Sequence, residues 1–324
     1  MRLRAGVAID LGTVNTLVYV AGRGLALEEP SAIAVDRGTG KVSAVGTEAD
    51  ALAGKEPQDV EVIHPLRDGV IADLDAAAAM LQAFLRLARL RRGPLRPSAI
   101  ICVPGGATWV ERRSLVAAAG AVRPKCTVQL VDEPVAAAAG AGYDLTAGSG
   151  AFIVDIGGGT TEVAVLAGRH VVRARSLRTA GNAMDAAITS AVRSQLDLLI
   201  GRDVARALKM THGLGGGPAS AEAVGVDAGR RTPRVDQIPA QLVARALEPA
   251  VSAIIGAVQE MLSDIPPNLA DDVVRGKIRL AGGGALLPGL ADRVEEAAGL
   301  PALVVDDPLR CVARGAAAIL EMGG

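Results

Sequence analysis

The run Ala8-Ile9-Asp10-Leu11-Gly12-Thr13-Val14-Asn15-Thr16-Leu17-Val18-Tyr19-Val20 returns, in the same order of residue types, as Ile153-Val154-Asp155-Ile156-Gly157-Gly158-Gly159-Thr160-Thr161-Glu162-Val163-Ala164-Val165. The two aspartates lie 145 positions apart. In each copy an apolar run ends at an Asp, a short glycine-containing turn with a hydroxyl residue follows, and a second run alternates apolar positions with period two. That order predicts a β-hairpin in each copy. Gly12 in the first turn and Gly157, Gly158 and Gly159 in the second leave backbone N–H groups able to point at an anion. The carboxylates of Asp10 and Asp155 stand where they can hold a hydrated Mg2+ beside that anion. Two facing copies would grip one polyphosphate from both sides. A pair of plain hairpins whose glycines serve only tight turns is the alternative, and repetition in register argues against it.

Composition narrows the class further. With 324 residues the chain exceeds the usual size of one compact core, so two lobes are expected. Aromatic residues are only 2%, which leaves no stacking platform for single-stranded nucleic acid, and 34 basic against 35 acidic residues argue against a general polyanion binder. No nucleic-acid partner is expected. Arg outnumbers Lys 29 to 5, which with abundant Ala and Gly reads as genome composition. Cys102, Cys126 and Cys311 are scattered without CxxC pairing, as are His64, His170 and His212, so neither a disulfide framework nor a His-based metal site is expected. The N-terminus runs into the first strand within a few residues, and no apolar run approaches the roughly 18 residues that span a bilayer. The expectation is a soluble, cytoplasmic protein.

Along the chain, strand-like pieces at 31–35 and 41–45 alternate with turn glycines and predict a small subdomain at about 33–75. A helix is expected over 75–90, a buried strand over 99–103, and a helix over 108–119 opened by the capping box Thr108-Trp109-Val110-Glu111. A strand over 127–131 leads into Asp132-Glu133-Pro134, where Pro134 suits a first helical position and places Glu133 at or near the cap. Helices are expected at 182–200, 203–212 and 240–263. Between them, 213–239 is rich in Gly, Pro and small residues and reads as a reduced subdomain or a partly mobile loop. Strands at 277–280 and 302–305, the turn Ala281-Gly282-Gly283-Gly284-Ala285, and a last Ala-rich helix complete an alternating α/β pattern.

Two DxG hairpins, an intervening Glu-Pro-Ala-type helix start and a late Gly-Gly-Gly turn resemble the actin, Hsp70 and sugar-kinase ATPase superfamily. Asp10 to Thr16, Gly24 to Ser31, Arg67 to Asp73, Val110 to Arg113, Asp155 to Val165 and Ala281 to Leu287 resemble, in order and nearly end to end, the MreB/Mbl family of bacterial actin homologues. The resemblance implies a two-lobed α/β actin-like ATPase fold, each lobe a mixed sheet flanked by helices with a smaller subdomain. The lobes would be 1–145 and 146–308, the second carrying a reduced subdomain at about 182–239, with 309–324 packing back on the first. It implies ATP and Mg2+ in the cleft. Asp10 and Asp155 would hold the metal through water. Gly12, Thr13, Val14 and Asn15 would line the phosphates from one side, and Gly157, Gly158, Gly159 and Thr160 from the other. Glu133 aligns with the glutamate that orients the attacking water, and with Asp155 makes up the expected catalytic pair; a simple helix cap is the other reading of Glu133. Gly181, Asn182, Arg206 and Lys209 fall on the nucleotide-contacting turn and helix, and Gly283, Gly284, Ala285 and Leu286 would approach the adenine.

Three departures stand out against that family pattern. Its Glu three residues before the Lys is Arg206 here, its Gly-Asp is Gly181-Asn182, and 213–239 is short for its second small subdomain. The implied function is a slow Mg-dependent ATPase that forms filaments organising cell-wall synthesis and cell shape, with a sister actin-like protein and the wall-synthesis machinery as partners. The departures leave two alternatives open: a weakly hydrolysing scaffold that co-assembles with a sister filament protein, and a non-polymerising ATPase of the same superfamily. Peripheral contact with the inner face of the membrane is a further expectation. Arg89, Arg91, Arg92 and Arg96 around Leu95 are its candidates, and a plain solvated basic loop is the alternative.

Overall fold

A computed structural model describes residues 6–89, 98–105, 107–122, 127–145 and 148–322. The chain divides into two units, one of Met1–Gly148, Gly168–His170 and Leu309–Gly324, the other of Ser149–Ala167 and Val171–Pro308. Cys126 and the basic stretch with Arg91, Arg92, Leu95 and Arg96 lie outside the described residues.

The first unit opens with the meander β1 (Gly6–Leu11), β2 (Asn15–Val20) and β3 (Gly24–Pro30). A small sheet of β4 (Ile33–Asp36), β5 (Val42–Val45) and β6 (Val60–Ile63), with the one-turn helix α1 (Thr47–Asp50), follows at the expected subdomain. The ribbon of β7 (Leu66–Arg67) and β8 (Val70–Ile71) leads to α2 (Leu74–Leu87), β9 (Ser98–Val103), α3 (Trp109–Val122), β10 (Thr127–Asp132) and α4 (Glu133–Gly140). Strand order in the main sheet is β10-β9-β1-β2-β3, with β9 parallel to both β1 and β10. Continuous apolar runs in β1 and β9 fit strands covered on both faces, and Ile9 and Ile101 pack with Met80 and Phe84 of α2.

The second unit contains β11 (Gly150–Ile156), β12 (Thr161–Ala167), β13 (His170–Leu177), α5 (Gly181–Leu196), β14 (Leu198–Leu199), α6 (Arg202–His212), β15 (Ser220–Asp227), β16 (Pro233–Pro239), α7 (Ala240–Ser263), α8 (Ala270–Gly276), β17 (Ile278–Ala281), α9 (Leu290–Ala298) and β18 (Ala302–Val304). Its main sheet runs β13-β12-β11-β17-β18, with β17 parallel to β11 and β18. Read from the meander outward, that is the order of the first sheet again, so the duplication extends from the hairpin to the whole sheet.

Several boundaries differ from the sequence expectation, each for a local reason. The helix expected over 182–200 stops at Leu196, because Asp197 takes a left-handed conformation (φ 49°) and Leu198–Leu199 then pairs with β15. Within 213–239, open between a reduced subdomain and a partly mobile loop, β15 and β16 pair from Ser220↔Pro239 to Val226↔Pro233. Helix α7 occupies the expected span, yet by length and composition it is apolar enough to cross a membrane, which the scan for apolar runs did not anticipate. In the structure its Leu242, Val243, Leu247, Val251, Ile254 and Val258 lie in the core of the second unit.

The last helix, α10 (Cys311–Glu321), belongs to the first unit and crosses α4 at backbone contact. A Cβ on Gly315 would overlap the Ala136 carbonyl, and one on Gly140 would overlap the Cys311 carbonyl. Only glycines permit that approach. Gly315→Ala is therefore expected to destabilise the protein by about 1–3 kcal/mol despite the better helix propensity of Ala, read as a lower denaturant midpoint in equilibrium unfolding.

Candidate functional site

The two hairpins share register and turn length. Leu11 pairs with Thr16 and Asp10 with Leu17; Ile156 pairs with Thr161 and Asp155 with Glu162. Each turn closes through the same bond, from the Gly12 N–H to the Asn15 carbonyl at 3.1 Å and from the Gly157 N–H to the Thr160 carbonyl at 2.8 Å. The next N–H groups, on Thr13 and Val14 in one turn and on Gly158, Gly159 and Thr160 in the other, make no hydrogen bond among the described residues. Successive free donors beside a carboxylate are the makings of an anion-binding nest.

Different neighbours brace the two turns. In the first unit Ser31, fully buried, accepts nothing from the turn but gives it two bonds: its N–H donates to the Val14 carbonyl (2.8 Å) and its hydroxyl to the Gly12 carbonyl (2.6 Å). Buried Thr16 shares a 2.9 Å hydroxyl contact with Ser31, and Thr13 Oγ1 accepts from the Gly69 N–H at 3.3 Å. In the second unit the N–H groups of Gly181 and Asn182, at the start of α5, donate to the carbonyls of Gly157 (3.1 Å) and Gly158 (2.8 Å). Thr161 Oγ1 donates to Thr179 O at 2.7 Å. Sequence reading missed Ser31, Thr16 and Thr161 as braces, since a buried hydroxyl leaves no periodic signal.

Asp155 is only 9% exposed, and its carboxylate makes no hydrogen bond or ion pair among the described residues. Burial pushes its carboxyl up to about 6 from 3.8. Gly282 (φ 77°) lies so close that a Cβ there would overlap Asp155 Oδ1 and the Ile156 carbonyl, which brings the turn after β17 to the same strand end. A buried hard-oxygen donor lacking a partner fits a small divalent cation such as Mg2+. Glu162, directly across the hairpin from Asp155 and 3% exposed, is a second carboxylate that sequence reading passed over.

In the first unit, Asp10 pairs with Cys102 and Cys102 with Val131, so Glu133, two residues further on, starts α4 at the same end of the sheet as the first turn. Glu133 is buried (9% exposed), while Asp132 before it is bound by the Arg112 guanidinium. The capping box is present, with Thr108 and Glu111 bonded reciprocally. Thus Asp10, Gly12, Thr13, Val14, Asn15 and Glu133 gather in one unit. Asp155, Gly157 to Thr160, Gly181, Asn182, Arg206, Lys209, Gly283, Gly284, Ala285 and Leu286 belong to the other.

On α6, Lys209 Nζ donates to the Gly181 carbonyl at 3.0 Å and stands 2.7 Å from Asp185 Oδ1, while Arg206 Nε stands 3.8 Å from Asp185 Oδ2. Asp185, on α5, drew no notice in the sequence because one acid in an amphipathic helix looks like surface. Its side chain is 3% exposed.

Two α/β units with one sheet order, each carrying the same DxG turn, define an actin-like fold. The family described as MreB/Mbl protein matches residues 4–323. The cell shape-determining protein MreB of Escherichia coli K12 is 41% identical over 325 residues, covering 98% of this chain and 93% of its own. Among solved structures, MreB5 of Spiroplasma citri bound to ADP superposes with a TM-score of 0.90 at 33% identity, covering 98% of this chain and 96% of that one. The MamK double helical filament gives a TM-score of 0.84 at 26% identity, over 98% and 99% of the two chains. The chain belongs to the MreB/Mbl family.

The isolation of Asp155 has a measurable cost. Because its folded-state pKa lies above its unfolded value, the folded protein binds the proton more tightly, and stability falls as pH rises from about 4 through 6. Ionised at pH 7, the group costs at most about 3 kcal/mol. Asp155→Asn is expected to raise the thermal midpoint of nucleotide-free protein at pH 7, with the gain vanishing toward pH 4, in paired melts across that range.

Proposed function

We propose that this chain is an actin-like cytoskeletal protein that binds ATP with Mg2+ through its two DxG turns and self-assembles into filaments that organise cell-wall synthesis and maintain cell shape. The observation that carries this reading is the pair of equivalent turns, each with free N–H donors next to a strand-end aspartate. The relatives point the same way: one is named for determining cell shape, one was solved with ADP, and one is a double helical filament.

Bound Mg2+ would supply neutralising charge at the phosphates. Around it the chain's own groups divide the work. Turn N–H donors would take the phosphate oxygens, Asp10 and Asp155 would hold the metal through water, and Glu133 would orient the attacking water from the start of α4. The adenine would lie against Gly283, Gly284, Ala285 and Leu286. The site of action is the cytoplasm, with peripheral contact at the inner face of the membrane. A second reading, a weakly hydrolysing scaffold that co-assembles with a sister filament protein, is favoured by Arg206 and Asn182 standing where carboxylates belong in the family pattern.

Pelleting and electron microscopy with ATP, ADP and no nucleotide test the assembly reading; filaments that form equally in all three conditions would contradict nucleotide control. Asp155→Ala is expected to abolish Mg-dependent ATP binding in calorimetry, and unchanged affinity would remove Asp155 from the site. Glu133→Ala should lower turnover by about 10² or more while ATP affinity stays within a few-fold, the pattern of a group acting mainly in the transition state. Single-turnover phosphate release separates the two readings, since the scaffold predicts that wild-type protein is already as slow as the variant.

A further inference from the structure

Peptide geometry links the free donors of the second turn to a buried ion pair on the opposite side of α5. In a planar trans peptide the N–H points away from the C=O of the same unit. When the carbonyls of Gly157 and Gly158 are engaged by the N–H groups of Gly181 and Asn182, the N–H groups of Gly158 and Gly159 are turned away from α5. A helix N-terminus ordinarily offers its first N–H groups to an anion. Here those donors are occupied in fixing the turn, so Gly181 and Asn182 act on a ligand through the loop they hold. The first turn of α5 is in turn tied to α6 by Lys209. Its ammonium, 8% exposed, bonds the Gly181 carbonyl at 3.0 Å and lies 2.7 Å from Asp185 Oδ1.

We infer that Asp185 is a positioning residue: it holds Lys209 on the Gly181 carbonyl, and through α5 aims the Gly158 and Gly159 N–H groups at the phosphates of the bound nucleotide. The phosphate part rests on the nucleotide reading above; the latch itself does not. Neither Asp185 oxygen accepts an aligned hydrogen bond, so its hold on Lys209 is ionic. Arg206, 3.8 Å from Oδ2 and with its side chain 42% exposed, adds a second cation to the same carboxylate. Truncating one partner leaves the other as an unpaired buried charge, which makes the arrangement testable by removing one charge and then both.

The test uses full-length protein and two variants, Asp185→Asn and Asp185→Asn with Lys209→Met. Hydrogen exchange without nucleotide reads the latch directly, because the Gly181 and Asn182 amides are its outer bonds. Exchange there should be at least about tenfold faster in both variants than in wild type. The double variant should recover most of the thermal midpoint lost by the single one, yet keep the fast exchange, since Met cannot donate to Gly181. If Asp185→Asn fails to fold, the double variant carries the measurement alone. Slow, wild-type exchange in the double variant would overturn the latch.

Calorimetry with Mg-ATP and with AMP then reads its consequence. Asp185→Asn should bind Mg-ATP about tenfold or more weakly while its AMP affinity changes less than about threefold. Equal losses for ATP and AMP would indicate general loosening and overturn the positioning role. Wild-type protein that binds neither nucleotide would instead refute the nucleotide reading, leaving the exchange result to decide the latch.

Discussion

A glycine N–H bonded to the carbonyl three residues ahead closes each DxG turn, and most of the architecture follows from those two bonds. With four residues between the last paired positions, the flanking strands pair in the register observed, which puts Asp10 and Asp155 one rung before the end of their hairpins. The next N–H groups cannot reach a partner inside so short a loop. Parallel strands β9 and β17 then dock beside β1 and β11, bringing their own following turns to the same sheet end. A side chain at Gly12 would press on the Asn15 carbonyl that closes the loop. The duplication is therefore one constraint applied twice, with the rest of each unit built to brace it.

The braces are not duplicated, and that asymmetry shapes how each half can respond. The first turn is braced by side-chain hydroxyls, Ser31 with Thr16 behind it on the Gly12 carbonyl and Thr13 on the Gly69 N–H. The second is held by a helix N-terminus that is itself pinned by α6. A helix carries a force over many residues, whereas a hydroxyl acts where it stands. The Gly181 and Asn182 bonds tie the second turn to α5, and Lys209 ties the start of α5 to α6.

What was legible in the sequence follows from the same physics. Both hairpins, α2, β9 and α7 could be read because their apolar residues recur at the period of the element and their ends carry turn glycines or prolines. Strands β13, β15 and β16 were missed because few of their residues are buried, so no clear apolar face marks them. The end of α5 was misplaced by the left-handed Asp197, a conformation open to Asp but not announced by it. At the candidate site, the residues tied to glycine turns could be named from the chain alone. Ser31, Thr16 and Asp185 could not, because each acts through a partner distant in sequence.

Two buried aspartates in the second unit are treated in opposite ways, and the contrast fits their separate tasks. Asp185 faces two fixed cations, Lys209 at 2.7 Å and Arg206 at 3.8 Å. Asp155 faces none among the described residues, and burial pushes its carboxyl up to about 6. Had Lys209 been placed against Asp155, the carboxylate would be stable without ligand, and a divalent cation arriving there would have to displace an ammonium already held by several kcal/mol of attraction. Left without a cation, Asp155 is costly to ionise until a mobile positive charge arrives, so part of the binding free energy of that charge comes from relieving the protein's own strain. Permanent cations belong where the structure must not move. A carboxylate left without one belongs where occupancy by a ligand is to be felt.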